Sequence, residues 1–371
     1  MPTYPTYKLG DVTEIINGKN QKEVVSSKGE YPIYGSGGII GWATDYLCKE
    51  NSTIIGRKGT IDNPIFVNRK FWNVDTAFGI QPSERVLPRY LFFFCKSFDF
   101  KKLDKSTTIP SLAKRDLLQI PIPLPPLPTQ QAIVARIEAL FTELDKAAEH
   151  LHTAQQQLKT YRQAVLNHWL NNEDGKWEMV KLGEVAEMCL GKMLDKNKNK
   201  GTYQPYLRNV NVRWGSFDLD DLLEMKFEES EQDRYGIQIG DLIMCEGGEP
   251  GRCAIWNATV PNMKIQKALH RIRFKNLIYN KFVYYLFSLY AQNGRLEKYF
   301  TGTTIKHLTG QSLKSIEIPL PPLPDQHRIV QEIESRLSQA EAVEASIAEA
   351  LQKTEALRQS ILKKAFSGEL V

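Results

Sequence analysis

The sequence is poor in the residues that mark most chemistry. Only five cysteines (Cys48, Cys95, Cys189, Cys245, Cys253) occur in 371 residues, with no C-x-x-C pair. An odd, scattered set excludes a disulfide framework and a zinc ribbon, and reads as a reduced, cytoplasmic chain. No apolar run approaches the roughly 18 residues that would span a bilayer, so no membrane partner is expected. MPTYPTYKLGD lacks a basic stretch followed by an apolar one, so no signal peptide is expected. There is no G-x-x-x-x-G-K-[ST] phosphate loop, and Gly35, Gly37, Gly38 and Gly41 do not make a G-x-G-x-x-G fingerprint. Asn-Pro-Pro-Tyr and Asp-Pro-Pro-Tyr, expected of an amino-methylating enzyme, are missing. The six histidines (His150, His152, His168, His270, His307, His327) show no metal-ligand spacing. His150 and His152, two apart on a helix, face different directions. No catalytic or metal-binding residue is therefore assigned, and any catalysis is expected of a partner.

What is present is an internal repeat. IPLPPLPTQQAIVARIE at 122–138 returns as IPLPPLPDQHRIVQEIE at 318–334, an offset of 196. The same offset carries TTIPSL at 107–112 onto TTIKHL at 303–308. Lys8-Leu9-Gly10-Asp11-Val12 returns as Lys181-Leu182-Gly183-Glu184-Val185 at an offset of 173. The second globular segment is thus the longer. Each unit is a globular segment, a Pro-rich hinge and a helix. The boundaries are 1–120 and 176–318 for the globular segments, and 121–175 and 319–371 for hinge and helix.

Both helices carry a heptad seam. Ile133, Ile137, Leu140, Leu144, Ala147, Leu151, Ala154, Leu158, Tyr161 and Val165 alternate in steps of four and three. In the second copy Ile329, Ile333, Ala340, Val343, Ile347, Ala350, Leu357 and Ile361 keep the seam, interrupted at Arg336 and Thr354. Proline excludes helix within each hinge, and Thr129 and Asp325 sit at matching positions as N-caps. One such helix alone would be an ordinary amphipathic core element. Two copies predict an antiparallel coiled coil about a pseudo-twofold axis, a rod ~50 Å long at 1.5 Å per residue. The fold class is α+β: two tandem globular domains separated by two paired long helices.

Positive charge is also scarce overall, at a formal +5. By segment, however, 1–120 carries +5 and 176–318 carries +4, while 121–175 and 319–371 each carry −2. Basic globular domains on acidic helices suit nucleic-acid-facing modules on a protein-facing rod. Ordinary solvated surface accounts equally well for these totals.

Candidate contacts follow from residue type and loop position. YPIYGSGGIIGWATDYL (31–47) and NSTIIGRKGT (51–60) read as short strands joined by Gly-rich turns, which put Arg57 and Lys58 where little bulk hinders a phosphate or base edge. In YLRNVNVRWGSF (206–217), Arg208, Asn209, Asn211 and Arg213 alternate with apolar residues as on an exposed strand face. Arg and Asn suit guanine and adenine edges respectively. Arg252 follows a Gly-rich turn much as Arg57 does. The loops TTIPSLAKR (107–115) and TTIKHLTG (303–310) add Lys114, Arg115, Lys306 and His307, their threonines serving equally as turn caps. The aromatic runs YLFFFCKSF (90–98) and FVYYLFSLY (282–290) read as buried helices.

The duplicated basic domain, the Pro-Leu-Pro-Pro-Leu-Pro-x-Gln hinge, the seamed helix and the closing LRQSILKKAFSGEL (357–370) resemble the DNA specificity subunit of type I restriction–modification systems. The resemblance spans essentially the whole chain. It implies two target recognition domains, each reading one half of a bipartite site in double-stranded DNA; because the two domains differ widely between their shared landmarks, the half-sites are expected to differ and the target to be asymmetric. It further implies two modification (adenine methyltransferase) subunits docked on the helices, with restriction subunits joining them. S-adenosylmethionine and ATP with Mg would act on those partners, none on this chain. One departure is LNHWLNNEDGKWE (166–178), which ends the first helix without the Ala-Phe-Ser-Gly-Glu-Leu close and reads as a linker. A duplicated coiled-coil scaffold and a free-standing DNA-binding regulator are the alternatives.

Overall fold

The computed structural model describes residues 4–172, 175–195, 197–274 and 278–371. Residues 1–3, part of the N-terminal stretch, and Glu173 and Asp174, inside the expected linker, lie outside the described residues. The chain forms two compact units: 1–153 with 347–371, and 154–346.

In the first unit, four antiparallel strands lie in the order Thr13–Asn17, Ala77–Pro82, Ser52–Gly56, Ile65–Val67. Ser52–Gly56 is buried along its whole length, as its central place in the unit requires. A three-stranded sheet pairs Tyr31–Gly35 with Gly38–Ala43 on one side and, in parallel, with Trp72–Asn73 on the other. The strand Thr6–Lys8 closes against Pro121–Pro123, so the hinge begins as a strand. Proline is tolerated there because this two-stranded ribbon asks little of its N–H.

The second unit repeats this plan. Its four-stranded sheet runs Ala186–Leu190, Leu269–Phe274, Leu242–Cys245, Cys253–Ile255. Thr202–Leu207 pairs with Leu223–Phe227 and, in parallel, with Lys264–Ile265. Met179–Lys181 closes against Glu317–Pro319. The extra length falls mainly in one place. Tyr31–Gly35 and Gly38–Ala43 are joined by a tight turn, whereas their counterparts are joined by 208–222, which holds a small hairpin of its own.

Both aromatic runs are helical and buried, at Pro88–Ser97 and Ile278–Gln292. Tyr90, Phe93 and Phe94 belong to the first unit's core; Phe282, Leu286 and Phe287 belong to the second's.

The long helices run Leu127–Leu170 and Leu323–Ser367. Thr129 and Asp325 are not N-caps, because each helix starts two residues earlier. Pro128 and Pro324 fall in the first turn, where no N–H is required. Gln130 N and Gln326 N then bond to Pro126 O and Pro322 O at 3.0 Å each.

Antiparallel pairing is evident in each unit taken by itself. In the first, Ile133 and Ile137 share a core with Leu362 and Ala365, and Asp145 is bonded by Arg358. In the second, Val165, Leu166 and Leu170 share a core with Ile329, Val330 and Ile333, while Arg162 meets Glu344 at 2.7 Å.

The seam itself needs correction. Ile133, Ile137, Ile329, Ile333 and Ile347 are buried, and Leu140, Leu144, Leu151, Leu158 and Ile361 are half-buried. Val343 and Leu357, however, are 48% and 51% exposed, and Tyr161 is exposed as well. The inward places next to them go to Glu344, Arg358 and Arg162. A helix of 3.6 residues per turn drifts about 20° per heptad, so a strict 3.5-residue register slips by one residue along its length. For the same reason Leu337, not Arg336, faces inward, and Thr354 lies on the seam.

Candidate nucleic-acid interface

In each unit three loops converge at the ends of the sheets. In the first, the loop after Ser52–Gly56 is tied to the Thr-Thr-Ile loop. Gly59 N donates to Pro110 O at 2.9 Å, Leu112 N donates to Arg57 O at 2.9 Å, and Lys58 bridges Ser111. Gly59 has φ +84, a left-handed value that glycine adopts without strain. Its hydrogen side faces Ser36 in the turn between Tyr31–Gly35 and Gly38–Ala43, close enough that a methyl there would lie 3.5 Å from Ser36 Oγ.

Arg57 and Lys58 therefore stand together at the junction of the three loops. Lys58 is exposed; the Arg57 guanidinium donates to Asp75 O at 3.3 Å. Lys114 is directed elsewhere. Its Nζ donates to Ile15 O at 2.5 Å, from the short helix Lys114–Leu118 that follows the loop. Arg115 remains exposed beside Asp116 at 3.5 Å.

The second unit builds the same junction from different residues. Leu308 N donates to Glu246 O at 2.7 Å, the counterpart of the Leu112–Arg57 bond. Arg57 N reaches Thr76 O as Glu246 N reaches Ala268 O, both at 2.8 Å. The structural counterpart of Arg57 is thus Glu246, not Arg252. Arg252 lies across the turn, with Nη2 on Asn209 Oδ1 at 2.7 Å and Nη1 on Glu249 at 2.8 Å. Each turn is Gly-rich, but Arg57 directly follows the first strand whereas Arg252 comes after the reversal, next to the second.

The expected strand face at 208–213 is also corrected. Asn209–Asn211 is a 3-10 turn, and only Val212–Arg213 pairs as a strand. The turn inverts the exposure: Val210 points outward, while Asn211 is 2% exposed. Asn211 Nδ2 donates to Asp218 O at 3.0 Å and Asp221 O at 3.2 Å, and its Oδ1 accepts from Arg208 N at 2.9 Å. An amide between strands competes well for backbone partners, so the sequence alternation mimics a strand without being one.

Asn209 donates to Gly247 O, which ties the inserted segment to the loop after Leu242–Cys245. Arg208 pairs with Asp221 at 2.6 Å, and Arg213, more exposed, stands 3.5 Å from Asp218. His307 closes the group, since a methyl on Gly247 would come within 3.0 Å of its Nδ1. Lys306 lies beside Glu297 at 3.5 Å and over the Phe300 ring at 5.9 Å. Asn209, Arg252 and His307 are brought together around Gly247; Arg208 and Arg213 stand on the inserted segment against Asp221 and Asp218, and Asn211 holds the framework.

Sequence reasoning missed Trp214, whose Nε1 donates to Glu249 at 2.8 Å, and Ile109 and Ile305, exposed at the loop tips. Exact repetition of Thr-Thr-Ile was the available signal for the isoleucines. Several cations are internal rather than displayed. Arg271, 1% exposed, donates to Asp233 O, Gly236 O and Glu187. Arg273 grips Asp241 through two bonds of 2.7 Å, which hold its proton more firmly than usual. Burial lowers the pKa of His270, whose Nε2 lies 2.8 Å from Leu308 O, beneath the Thr-Thr-Ile loop. Among the described residues no three His, Cys, Asp or Glu could hold a metal ion, and no helix is long and apolar enough to cross a membrane.

A second pair of equivalent features lies against the long helices. Arg89 of the first aromatic helix pairs with Glu138 at 2.8 Å; Lys281 of the second pairs with Glu334 at 2.7 Å. Glu138 and Glu334 are related by the repeat offset. Each pair borders a cleft, lined by Phe141, Asp145 and Arg358 in one unit and by Leu337, Glu341 and Arg162 in the other. These lining residues are also repeat equivalents.

Curated relatives match over most of the chain. A putative type I restriction enzyme specificity subunit from Haemophilus influenzae is 26% identical over 357 residues, covering 92% of this chain and 89% of its own. The EcoKI specificity subunit of Escherichia coli K12 is 25% identical over 321 residues, covering 78% and 67%. The MjaVIII specificity subunit of Methanocaldococcus jannaschii is 25% identical, covering 88% and 84%. Two solved structures share the fold. A chain from a study of assembly and conformational transition of the type I restriction–modification system superimposes with TM-score 0.76 at 19% identity, over 100% of this chain and 99% of that one. The HsdS subunit from Thermoanaerobacter tengcongensis does so with TM-score 0.64 at 19% identity, over 100% and 98%. The family model for the type I restriction modification DNA specificity domain matches residues 1–151 and 174–353, and the chain belongs to that family.

Proposed function

We propose that the chain is the DNA-recognition subunit of a type I restriction–modification enzyme, with each unit reading one half of an asymmetric bipartite site. One observation carries this reading. The same three-loop junction is built twice, on the same sheet positions, from unlike side chains: Arg57, Lys58 and Ser36 in one unit, and Asn209, Arg252 and His307 in the other, where Arg208 and Arg213 stand on the inserted segment. Equivalent placement with different chemistry is what reading two different half-sites demands. Base edges in the major groove are distinguished by donor and acceptor pattern, and phosphates by charge alone.

The long helices would dock two modification subunits, with restriction subunits completing the assembly in the cytoplasm. The repeat-related clefts beside Arg89–Glu138 and Lys281–Glu334 support two copies of one partner, since each offers an aromatic helix, an acidic residue and an inward arginine in the same order. S-adenosylmethionine, ATP and Mg would be used by those partners. This chain's part is to hold the DNA in register for them.

The test is binding of duplex DNA by the chain assembled with its modification subunits. Arg57→Ala and Arg213→Ala are each expected to lower affinity by about tenfold, in line with roughly 1–3 kcal/mol per base contact. A residue that reads a base will flatten preference at one position; one that holds a phosphate will weaken all sequences alike and reduce the salt slope. Absence of salt-dependent DNA binding by the assembly would overturn the reading in favour of a scaffold.

A further inference from the structure

The two junctions diverge almost everywhere except at one loop. Arg57-Lys58-Gly59 is replaced by Glu246-Gly247-Gly248, and the tight turn after Tyr31–Gly35 becomes the insertion 208–222. Thr107-Thr108-Ile109 and Thr303-Thr304-Ile305 are identical and keep the repeat offset. The isoleucines are 62% and 64% exposed. One exposed isoleucine needs no explanation. The same one in both copies, amid loops that have otherwise changed, does.

Both tips are held in place by their bases. In the first unit Asp104 Oδ1 accepts from Ser106 N at 3.0 Å, Ser106 Oγ at 2.6 Å and Ser111 N at 3.1 Å. These bonds, the Ser106 hydroxyl foremost, hold its carboxyl below the usual range. In the second, Thr301 and His307 exchange both backbone bonds at 2.8 Å. Different devices therefore fix the same shape. Each tip adjoins a cation, Lys58 through its bridge to Ser111 and Lys306 directly.

Apart from the modification subunits, whose clefts beside the long helices do not include these loops, two units that read different half-sites meet one thing in common: the sugars, phosphates and base faces of the duplex. Side chains that stay the same across the repeat are suited to that common part, and side chains that differ are suited to the bases. We propose that Ile109 and Ile305 are sequence-independent DNA contacts. Each is an apolar wedge set against the groove beside its half-site, with the adjacent threonine hydroxyls towards the backbone. The proposal rests on the DNA-recognition reading above.

The experiment uses the full chain assembled with its modification subunits, as wild type, Ile109→Ala, Ile305→Ala, the double variant and Ile109→Met. Each binds a randomised duplex pool; the enriched motif is sequenced, and affinity is measured on the enriched duplex and on an unrelated one. Each alanine variant is expected to bind both duplexes about tenfold more weakly, the size of withdrawing most of an isoleucine side chain from an apolar contact. The enriched motif should stay the same, the double variant should lose about the product of the two, and methionine should restore most of the loss. Wild-type affinity in the alanine variants overturns the proposal and marks the tips as surfaces for a protein partner. A changed motif overturns it too, making the residue a base reader. If the wild-type assembly enriches no motif and binds no duplex, the DNA-recognition reading fails and takes this proposal with it.

Discussion

Asn211 and Arg213 sit two positions apart and do different work. Asn211 is buried, and its amide serves three backbone groups of the inserted segment. Removing it takes the partner from Asp218 O and Arg208 N, while Asp221 O keeps its bond from Arg208 Nη2 at 2.8 Å, a loss of about 1–3 kcal/mol. Asn211→Ala is therefore expected to lower the unfolding free energy by that amount in chemical denaturation and to weaken DNA binding only through loss of the folded loop. Arg213, half exposed against Asp218, should show the opposite pattern. His270 adds a pH dependence at the same scale. Burial holds its folded-state pKa below the ordinary 6.5, so the unfolded chain takes up the proton first as pH falls. The stability from neutral His270 is complete above pH 6.5 and is drawn down as pH falls from there towards the folded-state value. A His270→Gln variant should show a flatter stability profile across that window in chemical denaturation.

Among the elements, the long helices were the most legible in the sequence and still slipped in detail. Leu-Pro-Pro-Leu-Pro and the apolar steps located both helices, because proline geometry and periodicity are local signals. The exact inward face was not local. It depends on helical drift, which exchanges Val343 for Glu344 and Leu357 for Arg358. The loops were less legible for a related reason. Nothing local reveals that Glu246 takes Arg57's place, because that equivalence is fixed by pairing with Ala268 and Leu308, distant in sequence. In the first unit Ser52–Gly56 followed from a short apolar run between turns; its counterpart Leu242–Cys245 is recognised only through the fold. If the helices set the gap between half-sites, deleting one heptad from each removes ~10 Å of helix, about three base-pair steps. The preferred gap in selected duplexes should shorten by up to that amount, and an unchanged gap would exclude the helices as its determinant.

For the whole molecule, the division of the chain into 154–346 and a unit made of 1–153 with 347–371 orders how it can form. Phe366 packs its ring on Tyr90 at 5.1 Å and on Phe94 at 5.5 Å, and Leu362 and Ala365 are buried in the same core. Removing residues 357–371 is accordingly expected to destabilise the first unit and spare the second, which limited proteolysis followed by fragment mapping would reveal. Synthesis on the ribosome meets the same constraint from the other side. The segment 154–346 can complete its core as soon as it has emerged, whereas the segment made before it must wait, with Tyr90 and Phe94 uncovered, until residues beyond 346 arrive. At roughly 5–20 residues per second that delay is on the order of ten seconds or more. The unit translated first is the one that finishes folding last, and its aromatic helix is the surface a chaperone would have to shield meanwhile.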